Sequence, residues 1–485
     1  MTQHLYLFTI GPVQSFIAAA RRTQDLYVGS QILSMIAGAG VQKALTYQVE
    51  MLFPYVKGNE IPSGVPHRFA FISSQADPAA IEQAMRKKWL EIESAVRHWL
   101  ENKIGGGSWE EVYKRQVENW LEVYWVAVEY KAASHAASYE EAGHALAQRK
   151  LLRHFPQVHE AGKKCTLSGA QSALPLNWGN LKKAIHDADD VVLRPSEELG
   201  ALAMIKRFAG QRFANIVDDT SFPDAETISG RHPDDEEGGF LAFLHMDGDS
   251  MGKHLSGLDT LEKHRDFSRQ LSEFAKKVSK ILAEKYKPGV LVYAGGDDVL
   301  AILPLQKALA CAIELHEAFR KITGLTMSAG IAITPDRLPY ASALEASRQM
   351  EKLAKGMEGK DALAIQERHG GQLRQARIKW DDLPLILDMQ GYFAKDILSG
   401  KLAYDVQQLA HDMDGGEVKA EARAAELTRI LKRRLADNIR AEDRDAILGE
   451  APKLAALGEE KEIGWAALAN WLILARFLAK GGRER

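Results

Sequence analysis

Val290-Leu-Val-Tyr-Ala294, Gly295-Gly296-Asp297-Asp298, Val299-Leu-Ala-Ile-Leu303: two apolar runs enclose a turn of two glycines and two adjacent carboxylates. Runs this short, rich in branched side chains and broken by Gly and Asp, predict the two strands of a hairpin. Gly295 and Gly296 admit positive φ and let a ligand approach the backbone. Asp297 and Asp298 crowd negative charge at the tip. That is costly unless the charge is solvated or meets a cation, and Mg²⁺ favours a few carboxylates together with substrate phosphates. Taken alone, the same stretch is equally a surface hairpin in which Asp favours the bend.

Upstream, Phe240-Leu-Ala-Phe-Leu-His-Met246 is a near-continuous apolar run and predicts a strand buried on both faces. It ends at Asp247-Gly248-Asp249-Ser250-Met251-Gly252-Lys253, and Phe267 to Tyr286 then has helical spacing. If this strand lies beside the hairpin, Asp247 ends next to Asp297 and Asp298. Carboxylates converging from separate strand ends repel one another, and a divalent metal removes the repulsion. The pairing turns the reading toward a metal–nucleotide site. Downstream come a helix from Ala308 to Ile322, a central strand from Leu325 to Ile333 and an amphipathic helix from Ala341 to Lys355. Ala362 to Gln366 reads as a final short strand. The order is a βαββαβ-type unit, the palm of nucleotide cyclases and polymerases.

The N-terminus repeats the opening of that unit. Leu5 to Ile10 reads as a strand, Gly11-Pro12-Val13-Gln14 as a turn, and Ser15 opens a helix. Arg68 to Ile72 and Val123 to Val128 read as strands, and Ala79 to Asn102 as a helix. The first copy has Gly-Pro-Val-Gln where the second has Asp-Gly-Asp-Ser, so it lacks the acids. The expectation is a diverged, non-metal palm packed against the active one, with a composite cleft at the junction. Four domains follow: a palm-like domain over 1–155, a linking, mostly helical domain over 156–237, the catalytic palm over 238–369 and a helical domain over 370–485. In the second, Glu197 to Phe208 reads as a helix with Leu199, Leu202, Ile205 and Phe208 on one stripe and Lys206 and Arg207 off it. Asp218-Asp219 and Asp234 to Glu237 read as a solvated acidic linker. His154, His159 and Cys165 do not make the tight Cys/His pairs of a structural zinc site. In the last domain Trp380 to Leu398, Ala420 to Leu435 and Trp465 to Phe477 have helical spacing. Arg429, Lys432, Arg433 and Arg434 are either a solvated helix face or an RNA or partner surface.

A chain of 485 residues exceeds a single core, and three or four domains are expected. With 46% hydrophobic and 26% charged residues the composition is that of a soluble globular protein. A formal net charge of -3 argues against simple electrostatic coating of nucleic acid and leaves room for local basic surfaces. Two cysteines exclude a disulfide scaffold and fit a reducing cytoplasm. No signal peptide is expected, because there is no basic n-region and Gly11-Pro12 interrupts the first apolar run. Gly464 to Ala475 falls short of the ~20 residues needed to span a bilayer, so no membrane partner is expected.

One ordered set of motifs carries a family resemblance. It comprises Ile10-Gly-Pro-Val-Gln-Ser-Phe-Ile-Ala18 with Arg21 to Leu26, then Met246 to Gly252, Gly295 to Asp298, and Ser328-Ala-Gly-Ile-Ala-Ile333 with the helix through Lys355. The set resembles the large, polymerase-like subunit of type III CRISPR effector complexes, in its Cmr-type (III-B) form, over essentially the whole chain. The fold this implies is α/β (α+β): two ferredoxin-like palm/cyclase domains, an intervening mostly helical domain and a C-terminal helical bundle. The activity it implies is joining of ATP into cyclic oligoadenylate when the complex binds target RNA, with Mg²⁺ or Mn²⁺ as cofactor. The implied partners are other Cmr-type subunits, crRNA and target RNA. Asp247, Asp297 and Asp298 would hold the metal. The turn residues Gly248, Asp249, Ser250 and Gly252 would meet the phosphates through their amides, with Gly295 and Gly296 in the facing turn. Lys253 and Lys355 are secondary phosphate candidates.

Two departures qualify the resemblance. Family members often begin with an HD nuclease domain, and this chain starts at the first palm-like domain, so no HD nuclease activity is expected. Members often carry a zinc site between the palms. Cys165-Thr-Leu-Ser168 and Gly200-Ala-Leu-Ala203 keep that spacing with one of four sulfurs, so no zinc is expected. A catalytically silent subunit scaffolding the crRNA ribonucleoprotein is one alternative, and a stand-alone diguanylate-cyclase-like enzyme is another. The clustered acids weigh against the first. The second palm-like unit, the missing Glu after Gly-Gly-Asp and the helical tail weigh against the second.

Overall fold

The computed structural model describes residues 2–58, 60–62, 64–152, 160–186, 193–212, 222–231, 239–369, 371–413, 418–437 and 439–482. His154, His159, Asp218, Asp219, the acidic run 234–237 and the expected boundaries near 155 and 237 lie outside the described residues.

The first domain runs β1 (His4–Gly11), α1 (Gln14–Ala18), α2 (Thr23–Ala44), β2 (Glu50–Phe53), β3 (Arg68–Ser73), α3 (Pro78–Ile104), α4 (Trp109–Glu118), β4 (Glu122–Glu129) and α5 (His135–Leu151). Its sheet has the order β2-β3-β1-β4, with Leu7 opposite both Ala70 and Val126. The start of α3 is fixed locally. The Asp77 carboxylate accepts from the amides of Ala79 and Ala80 at 3.0 and 3.2 Å, and Pro78 occupies the first turn. Ile81, Met85, Trp89, Ile92, Val96 and Leu100 then recur at helical spacing and are buried.

After α6 (Trp178–His186), α7 (Ala201–Arg212) and α8 (Ala225–Ser229) comes the second palm. It consists of β5 (Phe240–Gly248), α9 (Met251–Ser256), α10 (Leu261–Lys285), β6 (Val290–Ala294), β7 (Asp298–Pro304), α11 (Ala308–Thr323), β8 (Met327–Pro335), α12 (Tyr340–Lys355), β9 (Ala362–His369) and β10 (Gln372–Lys379). The sheet order is β10-β9-β8-β5-β7-β6. Its part β8-β5-β7-β6 repeats the first sheet's β4-β1-β3-β2, strand for strand, so both units are ferredoxin-like. Alternation along β5 explains its apolar run. Ala242, Leu244 and Met246 share one core with Phe274 and Val278 of α10 and Leu315 of α11, whereas Leu241 and Phe243 belong to the core shared with the first domain and α12. Gly330 is where α12 crosses β8. A Cβ there would stand 2.1 Å from the Ser347 carbonyl oxygen and 2.2 Å from the Glu351 nitrogen, so only glycine admits this approach.

Two expectations are corrected. The segment after residue 369 is not helical throughout: β10 pairs antiparallel with β9, Ile378 facing Leu363, and extends the sheet to Lys379. The helix expected from Glu197 begins at Ala201, because the Glu197 carboxylate accepts the Arg194 amide at 3.0 Å and pairs with Arg207 instead. Lys206 and Arg207, off the apolar stripe, are nonetheless buried at 1% and 3% exposure. Arg207 forks onto Asp25 of α2 with two bonds of 2.8 Å and reaches Glu197 at 3.0 Å. The Lys206 ammonium donates to the carbonyls of Phe16 and Ala19, and burial pushes it down to about 8. The linking helix is therefore bolted by charge to the Gly11–Leu26 region of the first palm.

The tail is α13 (Leu383–Ala394), α14 (Lys401–Asp412), α15 (Ala420–Arg434), α16 (Ala441–Glu459) and α17 (Gly464–Ala479). α17 lies along β10, with the Trp471 indole donating to the Arg377 carbonyl at 3.0 Å and Asn470 to the Gln375 carbonyl at 2.9 Å. The basic stretch of α15 is largely neutralised within the tail: Arg429 pairs with Glu426, and Arg433 and Arg434 with Asp405.

Candidate active site

β5 lies between β7 and β8, and its register sets Asp247 directly opposite Asp298 on one side and Ser328 on the other. The Gly248 amide donates to the Asp297 carbonyl at 3.1 Å and closes the turn against the strand end. A Cβ at Gly248 would lie 2.8 Å from the Met251 side chain and 3.1 Å from Asp297 Cβ, so the two carboxylate-bearing segments approach through a glycine. Asp247, Asp297 and Asp298 are thus brought together from separate strand ends. Burial, with Asp247 and Asp298 adding to it, pushes the Asp297 carboxyl up to about 7. Burial also raises Asp247, against the pull of Lys355.

The charge is partly met from within. Lys355, at the end of α12, donates to Asp247, to the Gly248 carbonyl at 3.2 Å and pairs with Glu351 at 3.1 Å. Asp298 Oδ2 accepts the Tyr293 hydroxyl at 2.9 Å, and His245 Nε2 stands 3.2 Å from Oδ1. That Oδ1 is buried and has no hydrogen-bond partner among the described residues. Burial and the Asp298 charge hold the Tyr293 phenol well above its ordinary range, so it is a donor. Among the described residues no three His, Cys, Asp or Glu side chains form a ready-made metal cage. The donor set still fits Mg²⁺ or Mn²⁺. Such ions take a few carboxylates and complete their shell with water and phosphate oxygens, and an orphaned carboxylate oxygen beside a carboxyl raised by burial and by its acidic neighbours is short of positive charge.

The other expected residues separate. Asp249 faces away from the acids: its carboxylate accepts from Thr326 Oγ1 at 2.9 Å, Ser328 Oγ at 2.8 Å and the Asp361 amide at 3.1 Å. The amides of Gly248 and Asp249 are spent on the carbonyls of Asp297 and Thr326, so a phosphate-binding turn would have to rely on residues from Ser250 onward. Ser250 has φ 55, and its hydroxyl accepts from Lys360 at 3.1 Å. Gly252 is exposed and lines the cleft, and Lys253 is exposed on α9. Gly296 takes φ +107, and the Gly295 amide donates to the Asp298 carbonyl at 2.8 Å.

The acids open into a cavity of about 1120 Å³ between the two palms. The palm contributes Met251, Phe267, Leu271, Tyr293 and Gly295 to Asp298, and the first domain Phe53, Pro66, Arg68 and Tyr139. Arg68 Nε is buried without a hydrogen-bond partner among the described residues. Sequence reasoning missed Arg68, Lys360, Tyr293 and His245. For His245 there was a signal: it interrupts an apolar strand two residues before Asp247 and so shares its face.

A histidine pair joins the cavity's two walls. His135 Nε2 lies 3.3 Å from His264 Nδ1, and Tyr130 Oη lies 3.1 Å from His135 Nδ1. His264 is 1% exposed, and burial, with His135 and His254 adding to it, pushes it down to about 3. Its folded value lies below the unfolded ~6.5, so the folded chain binds fewer protons, and stability present above ~6.5 is lost as pH falls toward 3. The unfolding free energy should fall by roughly 1.4 kcal/mol between pH 7.5 and 5.5 through this group. Denaturant titrations of wild type and His264→Phe at both values check it; an equal pH slope in the two would contradict it.

The family model described as Cas10/Cmr2, second palm domain, matches residues 240–364, and CRISPR-associated protein Cmr2, N-terminal, matches residues 5–104. The CRISPR system Cmr subunit Cmr2 of Pyrococcus furiosus is 35% identical over 160 residues, 26% of this chain and 18% of that protein. The single-strand-specific deoxyribonuclease Cas10/Csm1 (subtype III-A) of Mycobacterium tuberculosis is 28% identical over 167 residues, 30% of this chain and 20% of that protein. The matches thus span about a fifth of the length of these curated relatives. Among solved structures, the apo type III-B Cmr-beta complex contains a chain matching with a TM-score of 0.70 at 12% identity, over 100% of this chain and 82% of that one. The Csm1-Csm4 cassette in complex with cA4 matches at 0.55 and 16%, over 98% and 70%. At these identities the structures speak for the fold. Among the described residues no helix is long and apolar enough to cross a membrane. The chain thus carries, in sequence, a region matching the Cmr2 N-terminal model and a region matching the Cas10/Cmr2 second-palm model.

Proposed function

We propose that the chain is the large subunit of a type III-B CRISPR effector complex and a target-RNA-activated nucleotidyltransferase that joins ATP into a cyclic oligoadenylate. The observation that carries this is the pairing of Asp247 with Asp298 across β5 and β7, with Asp297 adjoining Asp298, all three lining a cleft shared by two palms. The cavity, about 1120 Å³, is larger than the ~300–1,000 Å³ usual for one small ligand, which suits two nucleotides. The Csm1-Csm4 cassette, of the same fold, has been solved with ATP, AMPPNP, pppApApA and cA4. A Cmr-beta complex has been solved with cognate target RNA.

Asp247, Asp297 and Asp298 would hold Mg²⁺ or Mn²⁺. A divalent ion bound there would ease deprotonation of an ATP 3′-hydroxyl and neutralise the departing pyrophosphate. Phosphoryl transfer depends mainly on positioning and charge, so the protein's own work is modest in kind. Lys355 holds Asp247 in place before substrate and can turn to a phosphate oxygen from the same position. Arg68, from the opposite wall, offers an unspent guanidinium N–H to the second nucleotide. The apolar lining of Phe53, Tyr139 and Phe267 accepts bases and excludes water.

The test uses the assembled complex containing this chain, labelled ATP, Mg²⁺ or Mn²⁺, and complementary RNA. Oligoadenylate should form with the RNA and not without it. No product, or equal product in both, would sink this reading.

A further inference from the structure

The acids are held from behind by a pair of side chains that the expected site did not contain. Tyr293 reaches them through a β-bulge. Leu291 faces Ala301, yet Tyr293 faces Leu300, so one residue is inserted between consecutive partners. In an unbroken ladder Tyr293 would face Val299, whose side chain belongs to the core beneath α10 and α11. The bulge brings Tyr293 to the row of Leu300 instead, whose other neighbour in register is His245 of β5. Tyr293 and His245 therefore flank Leu300 on the face that also bears Asp298, two residues earlier on β7.

The contacts follow from this row. Tyr293 Oη donates to Asp298 Oδ2 at 2.9 Å, and His245 Nε2 lies 3.2 Å from Oδ1 and 3.4 Å from Tyr293 Oη. His245 Nδ1 is buried and has no partner among the described residues. A proton on Nε2 is the arrangement that avoids setting a ring lone pair against carboxylate lone pairs at this distance. The carboxylate then has one oxygen fixed by a hydroxyl and the other left open beside an N–H. A bulge is a deformation that ordinary sheet packing does not require here, and bulges re-aim side chains next to active sites.

We propose that Tyr293 and His245 are positioning residues that fix the Asp298 carboxylate for a divalent cation, Tyr293 through the bond of its hydroxyl to Oδ2 and His245 through the Nε2 that holds that hydroxyl. This rests on the metal-site reading above. Partners that orient a ligating carboxylate typically contribute about 10–100-fold in metal affinity.

The probe is Mn²⁺ alone, titrated by electron paramagnetic resonance against the full chain in its complex. Tyr293→Phe should weaken binding about 10-fold or more with an unchanged unfolding midpoint. His245→Leu should weaken it similarly, and His245→Gln, whose amide can place an N–H near the same point, should restore most of it. The Mg²⁺ concentration giving half-maximal nucleotide synthesis should rise in parallel, whereas the KM for ATP at saturating Mg²⁺ should stay within about 2-fold. Wild-type affinity in both Tyr293→Phe and His245→Leu overturns the proposal and leaves the nucleotidyltransferase reading standing. Weakened Mn²⁺ binding in a complex that makes no oligoadenylate does the reverse. A wild-type complex that binds no Mn²⁺ overturns both. If Tyr293→Phe misfolds, the His245→Leu and His245→Gln pair decides.

Discussion

Replacing Arg207 with methionine is expected to lower the stability of the first domain and its linking helix by about 3–5 kcal/mol. The guanidinium is fully enclosed and carries two carboxylates, Asp25 at 2% and Glu197 at 1% side-chain exposure. Removing it leaves both acids buried without their partner, and the cost comes from that abandoned charge rather than from the attraction lost. Burial alone would raise the Asp25 carboxyl; Arg207 outweighs it and holds the group below its usual range. Asp25 therefore contributes stability above its unfolded value of ~3.9 that is lost as pH falls through the lower folded value. In the variant that contribution should vanish at neutral pH. For a unit of this size the midpoint should fall by roughly 6–20 °C in a thermal scan. Arg207→Lys should recover only part, since a point ammonium cannot fork onto Asp25 and still reach Glu197. A midpoint within a degree of wild type in Arg207→Met would show that the network contributes no cohesion.

The second large effect concerns chemistry. The double substitution Asp297→Asn/Asp298→Asn should reduce RNA-dependent oligoadenylate synthesis by about 10³-fold or more, because charge neutralisation in such a site is worth several kcal/mol. Stability should move the other way. The three acids repel one another, and burial with that repulsion already lifts Asp297 to about 7, so neutral amides relieve a cost that the folded chain bears. The measurement is paired: product formed per complex, and unfolding midpoint of the same preparation. Loss of both activity and folding would mean the acids are structural. Retained synthesis would remove them from the reaction.

Much of the frame was legible because it is local. The apolar run of β5, the paired glycines and acids, and the helical stripes of α3 and α10 are written in neighbouring residues, and the meeting of Asp247 with Asp298 followed from placing one strand beside one hairpin. What escaped depends on distant partners or small distortions. Lys206 and Arg207 showed only as lying off the apolar stripe, because their partners Phe16, Ala19 and Asp25 lie more than 180 positions away. The four residues of β2 are too few to carry a period. The strand β10, Gln372-Leu-Arg-Gln-Ala-Arg-Ile-Lys379, buries only Ala376 and Ile378, so its alternation is faint. α16 was missed with Pro452 in its interior, a residue that argues against helix. The bulge that re-aims Tyr293 leaves no mark in composition. Asp249 was expected to meet phosphate through its amide because it shares a turn with Asp247, whereas β-strand alternation gives no account of the hydroxyls of Thr326 and Ser328 that hold its carboxylate.

The clasp of α17 on β10 has a consequence for the company the chain keeps. A strand at the rim of a six-stranded sheet normally offers its unpaired carbonyls and amides as a template for another chain. Here the Gln375 and Arg377 carbonyls are already taken by Asn470 and Trp471. Copies of the protein cannot zip together along this rim while the last helix is seated, and a neighbouring subunit must recognise side chains there rather than backbone. The final helix thus serves as a stopper against sheet-to-sheet polymerisation at this border of the palm.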